Sequence, residues 1–235
     1  MAEEHYFFVS PELITNDQFQ LPQDEAYHAS KVLRRSAHDI IWLIDGVGSA
    51  YKGEITEIDG KKVIGRILER IAGYGESDKK VNLGIGILKK DKLEWVVEKA
   101  TELGVVNISF LKMDHCIKKD VNIDRLSKIV RSAVKQCGRS TEPLLKGPVS
   151  LLDWIHSSME NDGMNLICHP GGEKITDLMR GNKNFINVLV GPEGGFSANE
   201  LYLTEHEGFL GLDLGNRRLR SETAAISVVS QIQAF

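Results

Sequence analysis

Val188-Leu-Val-Gly-Pro-Glu-Gly-Gly-Phe196, running on into Ser197-Ala-Asn-Glu200, is the stretch that decides the fold. Asn187–Val190 is apolar and reads as a short strand. Gly191-Pro192 stops it, and Glu193-Gly194-Gly195 turns the chain. Ser197 with Glu200 three positions later is a capping box, so a helix opens there. Strand, glycine turn and capped helix make up the repeating unit of an α/β domain. Glycines directly after a strand let backbone N–H groups approach a ligand closely, and parallel sheets bind ligands at the carboxyl ends of their strands. The spacing fits neither Gly-x-Gly-x-x-Gly nor Gly-x-x-x-x-Gly-Lys-Ser/Thr, which excludes the usual dinucleotide and ATP loops.

Two further strand ends look alike. Asn165–Cys168 runs into His169-Pro170-Gly171-Gly172, and a third apolar stretch ends at Leu214-Gly215-Asn216. Three such turns in one sheet are able to line a single pocket. Just beyond the third stands Arg217-Arg218-Leu219-Arg220-Ser221-Glu222-Thr223. Three arginines before a helix N-terminus sit where the helix dipole disfavours cations. The arrangement reads either as a solvated basic turn or as a grip on phosphate and polarised oxygen, for which guanidinium is suited.

Upstream, Val81–Leu88 and Val105–Leu111 read as strands. Between them Asp91-Lys-Leu-Glu94 resembles a capping box, and Leu93, Val96, Val97, Ala100 and Leu103 follow helical spacing up to Gly104. Ile123, Leu126, Ile129, Val130, Val134 and Cys137 share one face of another helix. Ser221 reads as the cap of the last helix, buried through Ala225, Val228, Val229 and Ile232. Residues 80–235 are therefore expected to form an α/β domain with a mostly parallel sheet. Residues 1–72 read differently, with strands at Tyr6–Val9, Ile40–Ile44, Tyr51–Ile58 and Lys62–Leu68, turns at Asp45-Gly46 and Asp59-Gly60, and a helix over Asp24–Arg35. That pattern predicts a small β-barrel. The glycine-rich residues 73–79 are the expected linker.

Composition bounds the function. The 235 residues are 42% hydrophobic and 26% charged, as in an ordinary globular protein. A net charge of −4 argues against non-specific coating of nucleic acid. Residues 1–75 carry 8 Lys/Arg against 12 Asp/Glu, whereas the remainder holds 21 of each, so RNA contact must come from local clusters. Cys116, Cys137 and Cys168 form no Cys-x-x-Cys pair, so neither a metal site nor a disulfide framework is expected. Met-Ala-Glu-Glu-His5 is too acidic for a secretory signal, and a cytoplasmic location is the expectation.

Gly191-Pro-Glu-Gly-Gly-Phe-Ser197, followed by Leu214-Gly-Asn-Arg-Arg-Leu-Arg-Ser-Glu-Thr-Ala224, resembles the signature of the RsmE family, the bacterial ribosomal RNA small-subunit methyltransferases of the SPOUT superfamily. Val32-Leu-Arg34, Asp45-Gly46, Lys90-Asp-Lys-Leu-Glu-Trp95, Lys99-Ala-Thr-Glu-Leu-Gly-Val105, Gln136-Cys-Gly-Arg139 and His169-Pro170 fit in the same order. The resemblance implies a PUA-like β-barrel followed by a trefoil-knotted α/β domain that binds S-adenosylmethionine and dimerises. It also implies methylation of N3 of one uridine in 16S ribosomal RNA. Arg218 departs from the family pattern, where an aliphatic residue is usual, as do His115 and His5, where basic residues are common.

On this reading the cofactor lies against His169, Leu189, Gly191, Pro192, Glu193, Gly194, Gly195, Leu214, Gly215 and Leu219. Arg220 is the candidate for stabilising a uridine anion, because guanidinium keeps its charge and offers directed donors. Glu222 either accepts the N3 proton or orients Arg220, and because a carboxylate beside arginines is a poor base, the orienting role is the expectation. RNA contact falls to Arg34, Arg35, Arg139 and Arg217. Two alternatives are a SPOUT enzyme with another RNA target and a non-catalytic ribosome-assembly factor.

Overall fold

The computed structural model describes residues 5–59, 62–160, 162–181 and 183–235. The acidic start, Met1–Glu4, and Gly60 of the Asp59-Gly60 turn lie outside the described residues. Packing divides the chain into two units: residues 1–76 with 131–142, and residues 77–130 with 143–235.

The first unit holds strands β1 (Tyr6–Phe8), β2 (Ile14–Thr15), β3 (Gln18–Gln20), β4 (Ile40–Ile44), β5 (Ser49–Asp59) and β6 (Lys62–Ala72). They form one curled sheet in the order β1-β4-β5-β6-β3-β2, antiparallel except for the β1–β4 pair. Its core gathers Phe7, Val9, Phe19, Leu21, Leu43, Ile55 and Val63 with Ala26 and Ala29 of the helix. The Asp45-Gly46 turn is fixed by the buried Asp45 carboxylate. It accepts hydrogen bonds from the N–H groups of Val47 and Ser49 and from the Tyr51 hydroxyl. The expected helix is shorter and irregular: α1 (Gln23–Tyr27) widens into a π turn over His28–Val32, and Arg34 takes a left-handed backbone, φ 53°. The Ser30 hydroxyl takes the Ala26 carbonyl at 2.8 Å, an acceptor the regular ladder would use.

The second unit contains β7 (Lys80–Gly86), α2 (Lys90–Glu102), β8 (Asn107–Lys112), the start of α3 (Ile123–Cys137), β9 (Leu144–Ser150), α4 (Leu151–Met159), β10 (Met164–Glu173), α5 (Ile175–Leu178), β11 (Phe185–Val190), α6 (Ala198–His206), β12 (Leu210–Leu212) and α7 (Ser221–Gln233). Its six strands are all parallel, in the order β12-β10-β11-β7-β8-β9. A parallel sheet covered on both faces needs near-continuous apolar strands, and Val81, Leu83, Ile85, Ile186, Val188, Leu189 and Val190 are all buried.

One polar row interrupts that core. Asn107, Asn82, Asn187 and Asn165 stand in register on β8, β7, β11 and β10. Each side-chain amide donates to the next carbonyl: Asn107 to Asn82 (2.5 Å), Asn82 to Asn187 (2.8 Å) and Asn187 to Asn165 (2.7 Å). Any slip of register would leave these groups unpaired in an apolar layer, so the row pins the alignment of the strands whose ends build the site.

Two expected caps differ. The N-cap of α2 is Lys89 rather than Asp91, and no side chain of its own caps it. Instead the Glu193 carboxylate, from the turn after β11, accepts the Lys89 N–H at 3.3 Å. The N-cap of α7 is Arg220, so Ser221 is its first residue and donates no cap. The Ser197–Glu200 box has both of its bonds.

Candidate active site

The turns after β11 and β12 and the second half of β10 meet around a cavity of about 530 Å³. Cys168, His169 and Pro170 lie within β10, which does not turn at 169–172 as expected but runs on to Glu173, its pairing with β12 irregular between Cys168 and Glu173. Gly191, Pro192, Glu193, Gly195 and Phe196 follow β11, and Leu212 to Gly215 end β12. Arg217 to Ser221 and Ala224 complete the wall with the start of α7, and Lys92 enters from α2.

Gly86 on β7 explains how the turn after β11 sits so close. A Cβ there would lie 2.6 Å from the Pro192 ring and backbone nitrogen. Gly195 and Gly215 have φ of +74° and +108°, and an added Cβ on either would meet nothing within 4 Å. They present bare backbone to open space, and the apolar wall is Val190, Phe196, Leu212, Leu214 and Leu219.

The turn is braced from behind by the segment after β8. Asp114 N–H donates to Glu200, the Ser197 hydroxyl donates to Asp114, and His115 Nδ1 lies 3.1 Å from the carbonyl oxygens of Gly194 and Gly195. His115, which departs from the family pattern, is thus a buttress of the glycine turn. Gly194 faces this histidine, and Leu189 has no exposed surface within β11; neither stands in the cavity wall. His169, Gly191, Pro192, Glu193, Gly195, Leu214, Gly215 and Leu219 all do.

The charges are unevenly shielded. Arg220 is 80% exposed and its Nη1 lies 3.9 Å from Glu222 Oε1, whereas the Glu222 side chain is 13% exposed. Glu222 Oε2 is closed to solvent and accepts no hydrogen bond. Its nearest cation is Lys92, whose Nζ lies 3.6 Å away and 3.4 Å from Glu193 Oε1. Burial alone pushes the Glu193 carboxyl up, but the backbone N–H groups of Glu193 itself and Lys89, with the Lys92 charge, outweigh it and hold it below the usual range. Burial pushes the Cys168 thiol up to about 12, so it stays protonated.

Among the expected RNA-contact residues, only Arg217 stands at this cavity. Arg34 and Arg35 lie in the first unit, where Arg34 is exposed and Arg35 has a buried Nε with no hydrogen-bond partner. Arg139, also in the first unit, is 2% exposed and gives two hydrogen bonds to Glu76. Lys92, Phe196 and Asp213 line the cavity without having been singled out from sequence. The signal for Lys92 was available: Lys89, Lys90 and Lys92 crowd a helix start, where cations are disfavoured.

A family model described as an RNA methyltransferase domain matches residues 75–233, and one described as an RNA methyltransferase PUA domain matches residues 21–68. The ribosomal RNA small subunit methyltransferase E of Buchnera aphidicola is 28% identical over 234 residues, covering 97% of this chain and 92% of that one. The chain belongs to the RsmE family. The crystal structure of an RsmE protein from Neisseria gonorrhoeae, bound to S-adenosylmethionine, superposes with a TM-score of 0.86 at 27% identity, covering 98% of this chain and 97% of that one. A methyltransferase from Legionella pneumophila, also in complex with S-adenosylmethionine, gives 0.82 at 30% identity with the same coverage of both chains. RsmE membership agrees with the architecture described above, a PUA-like curled sheet and a parallel α/β unit. Among the described residues no helix is long and apolar enough to cross a membrane, and no group of three His, Cys, Asp or Glu side chains is placed to hold a metal.

Proposed function

We propose that this chain transfers a methyl group from S-adenosylmethionine to N3 of one uridine in the 16S RNA of the small ribosomal subunit. The observation that carries the reading is the cavity at the carboxyl edge of the parallel sheet. Its volume lies in the range of about 300–1,000 Å³ common for small-molecule sites. The bare backbone at Gly195 and Gly215 is a cradle that a Cβ would fill, and the apolar wall suits an adenine ring. A molecule carrying an adenosine and an amino acid needs such backbone donors and acceptors more than charged partners. These residues therefore fit S-adenosylmethionine, the ligand with which both structural relatives were crystallised. When bound, it supplies an electrophilic methyl group on a positively charged sulfur.

The chain's own residues prepare the nucleophile. Uridine N3 carries a proton and a delocalised lone pair, so the proton must leave before the nitrogen attacks. Arg220 stands at the rim with free donors for the uracil oxygen on which that negative charge accumulates. Glu222 does not line the cavity but directly follows Ser221 of its wall; shielded and with one oxygen lacking a donor, it is the carboxylate assigned the leaving proton. Its distance of 3.9 Å from a mostly exposed Arg220 favours this role over orienting the arginine. His169, Gly191, Pro192, Glu193, Leu214 and Leu219 hold the cofactor side, with Leu189 and Gly194 one layer behind. Arg217 meets RNA at the cavity, and Arg34 and Arg35 meet it in the first unit. Arg139 acts there by keeping residue 76 and the 138–141 segment in place.

The homodimer that the resemblance implies belongs to the same proposal, with the last helix as the candidate contact. Ala225, Val228, Val229 and Ile232 are buried within the chain, while Phe235 is exposed. Transfer of a labelled methyl group from S-adenosylmethionine tests the function. Small-subunit RNA is expected to accept it, and large-subunit RNA and transfer RNA are not. Equal labelling of all three would refute the assignment.

A further inference from the structure

Lys92 projects from the first turn of α2, where the helix dipole opposes a cation and neighbouring Lys89 and Lys90 add repulsion. It is nevertheless two-thirds shielded, and its ammonium lies between two carboxylates that belong to different segments. Glu193 comes from the glycine turn after β11 and also receives the Lys89 N–H. Glu222 comes from the first turn of α7. The unfavourable place of the lysine is thus balanced by two long-range ion pairs, which join the starts of α2 and α7 to the turn between them. Glu222 has no comparable hold on its other side, since Arg220 is 3.9 Å away and largely in water.

We propose that Lys92 is a positioning residue of the methyl-transfer site, tying the 191–195 turn to the start of α7 through Glu193 and Glu222 and so fixing Glu222, the carboxylate assigned the N3 proton. The proposal rests on the reading of this cavity as the methyl-transfer site. With the ammonium in place, two carboxylates about one side chain apart do not repel each other out of the site. Without it, the Glu222 side chain loses its nearest counter-charge while remaining shielded from water. Misplacing a reacting group by about 1 Å costs on the order of 10²-fold in rate, so an indirect effect of about 10–100-fold is expected.

The test uses the full-length chain and the variants Lys92→Met, Lys92→Arg, Glu222→Gln and the Lys92→Met/Glu222→Gln pair. Hydrogen exchange in the free protein reads the tie itself. Lys92→Met is expected to speed exchange of the amides of residues 193–196 and 221–224, and Lys92→Arg to leave them near wild type. Single-turnover transfer to small-subunit RNA is expected to fall about 10–100-fold in Lys92→Met, with KM for RNA little changed, and to recover in Lys92→Arg. In the Glu222→Gln background, Lys92→Met is expected to add less than about threefold, because the two act as one unit. Wild-type exchange and rate in Lys92→Met would overturn the proposal, as would fully additive losses in the double variant. Faster exchange in Lys92→Met, in a protein whose wild type transfers no methyl group, would instead refute the methyl-transfer reading and leave the tie standing.

Discussion

Replacing Gly195 by alanine separates the cavity's role in binding from its role in folding, provided Gly208→Ala is measured beside it. The two glycines have nearly the same left-handed backbone, φ +74° and +76°, and an added Cβ at either meets nothing within 4 Å. A non-glycine residue in that conformation costs about 1–2 kcal/mol. The reduced freedom of the unfolded chain returns about 0.4–1 kcal/mol. Both variants are therefore expected to lose only about 1 kcal/mol of stability and to stay folded. They differ in what the methyl group faces. Gly195 lines the cavity, whereas Gly208 follows α6 outside its wall. Forcing one methyl group into a packed contact costs about 1–3 kcal/mol, which is about 5–150-fold in dissociation constant. Calorimetric titration with S-adenosylmethionine, together with urea unfolding of both variants, reads the two effects separately. Unaltered affinity in Gly195→Ala, or equal weakening in both variants, would show that the cofactor does not lie against this turn.

Other expectations follow from the same structure. Asn82→Ala removes an inner member of the asparagine row and strands Asn107 and Asn187, so urea unfolding should show a loss of about 2–6 kcal/mol at about 1–3 per unsatisfied group. Arg139→Ala leaves the shielded Glu76 carboxylate without its cation and should cost about 3–5 kcal/mol; a variant of wild-type stability would argue against a structural role. The Arg125 hydrogen bond, with the Arg125 and Lys90 charges, holds the Glu94 carboxyl below its ordinary value. A depressed carboxyl stabilises the fold above its unfolded pKa, and that contribution is lost as pH falls through the folded one. Glu94→Gln should therefore melt with a shallower acid dependence than wild type below about pH 4.5. Arg34→Ala/Arg35→Ala should weaken RNA binding and lower the slope of affinity against salt by about one unit per lost phosphate contact; an unchanged slope would remove these arginines from the RNA surface.

Much of the site was legible because its signals are local. The Ser197–Glu200 box and the glycines after β11 sit within a few residues of each other, and both formed as the spacing required. The parallel sheet followed from apolar strands alternating with helical periodicity. What failed was what depends on distant partners. Asp91 looked like a cap for α2, yet the N-terminus of that helix is met by Glu193, about a hundred residues away. Leu144–Ser150 went unread as a strand, since it carries a Gly-Pro pair, and the strand expected to end at Leu214 is only the three residues Leu210–Leu212. No periodicity could show that residues 131–142, half of them in a regular helix, pack with the first unit. Arg139 resembled a surface cation until its partner Glu76 was in place, and Lys92 was legible only as a cation in an unfavourable position.

Methyl transfer to N3 is a single chemical event at one atom, and nucleoside analysis observes it directly. Unmodified small ribosomal subunits are incubated with the protein and S-adenosylmethionine. Their 16S RNA is then digested to nucleosides and resolved by mass spectrometry against methylated standards. The expected result is 3-methyluridine as the one new nucleoside, approaching one per subunit, and its absence when Glu222→Gln or Arg220→Ala replaces the wild-type protein on the same timescale. A methyl group on ribose or on another base, or no new nucleoside from subunits to which the protein demonstrably binds, would contradict it.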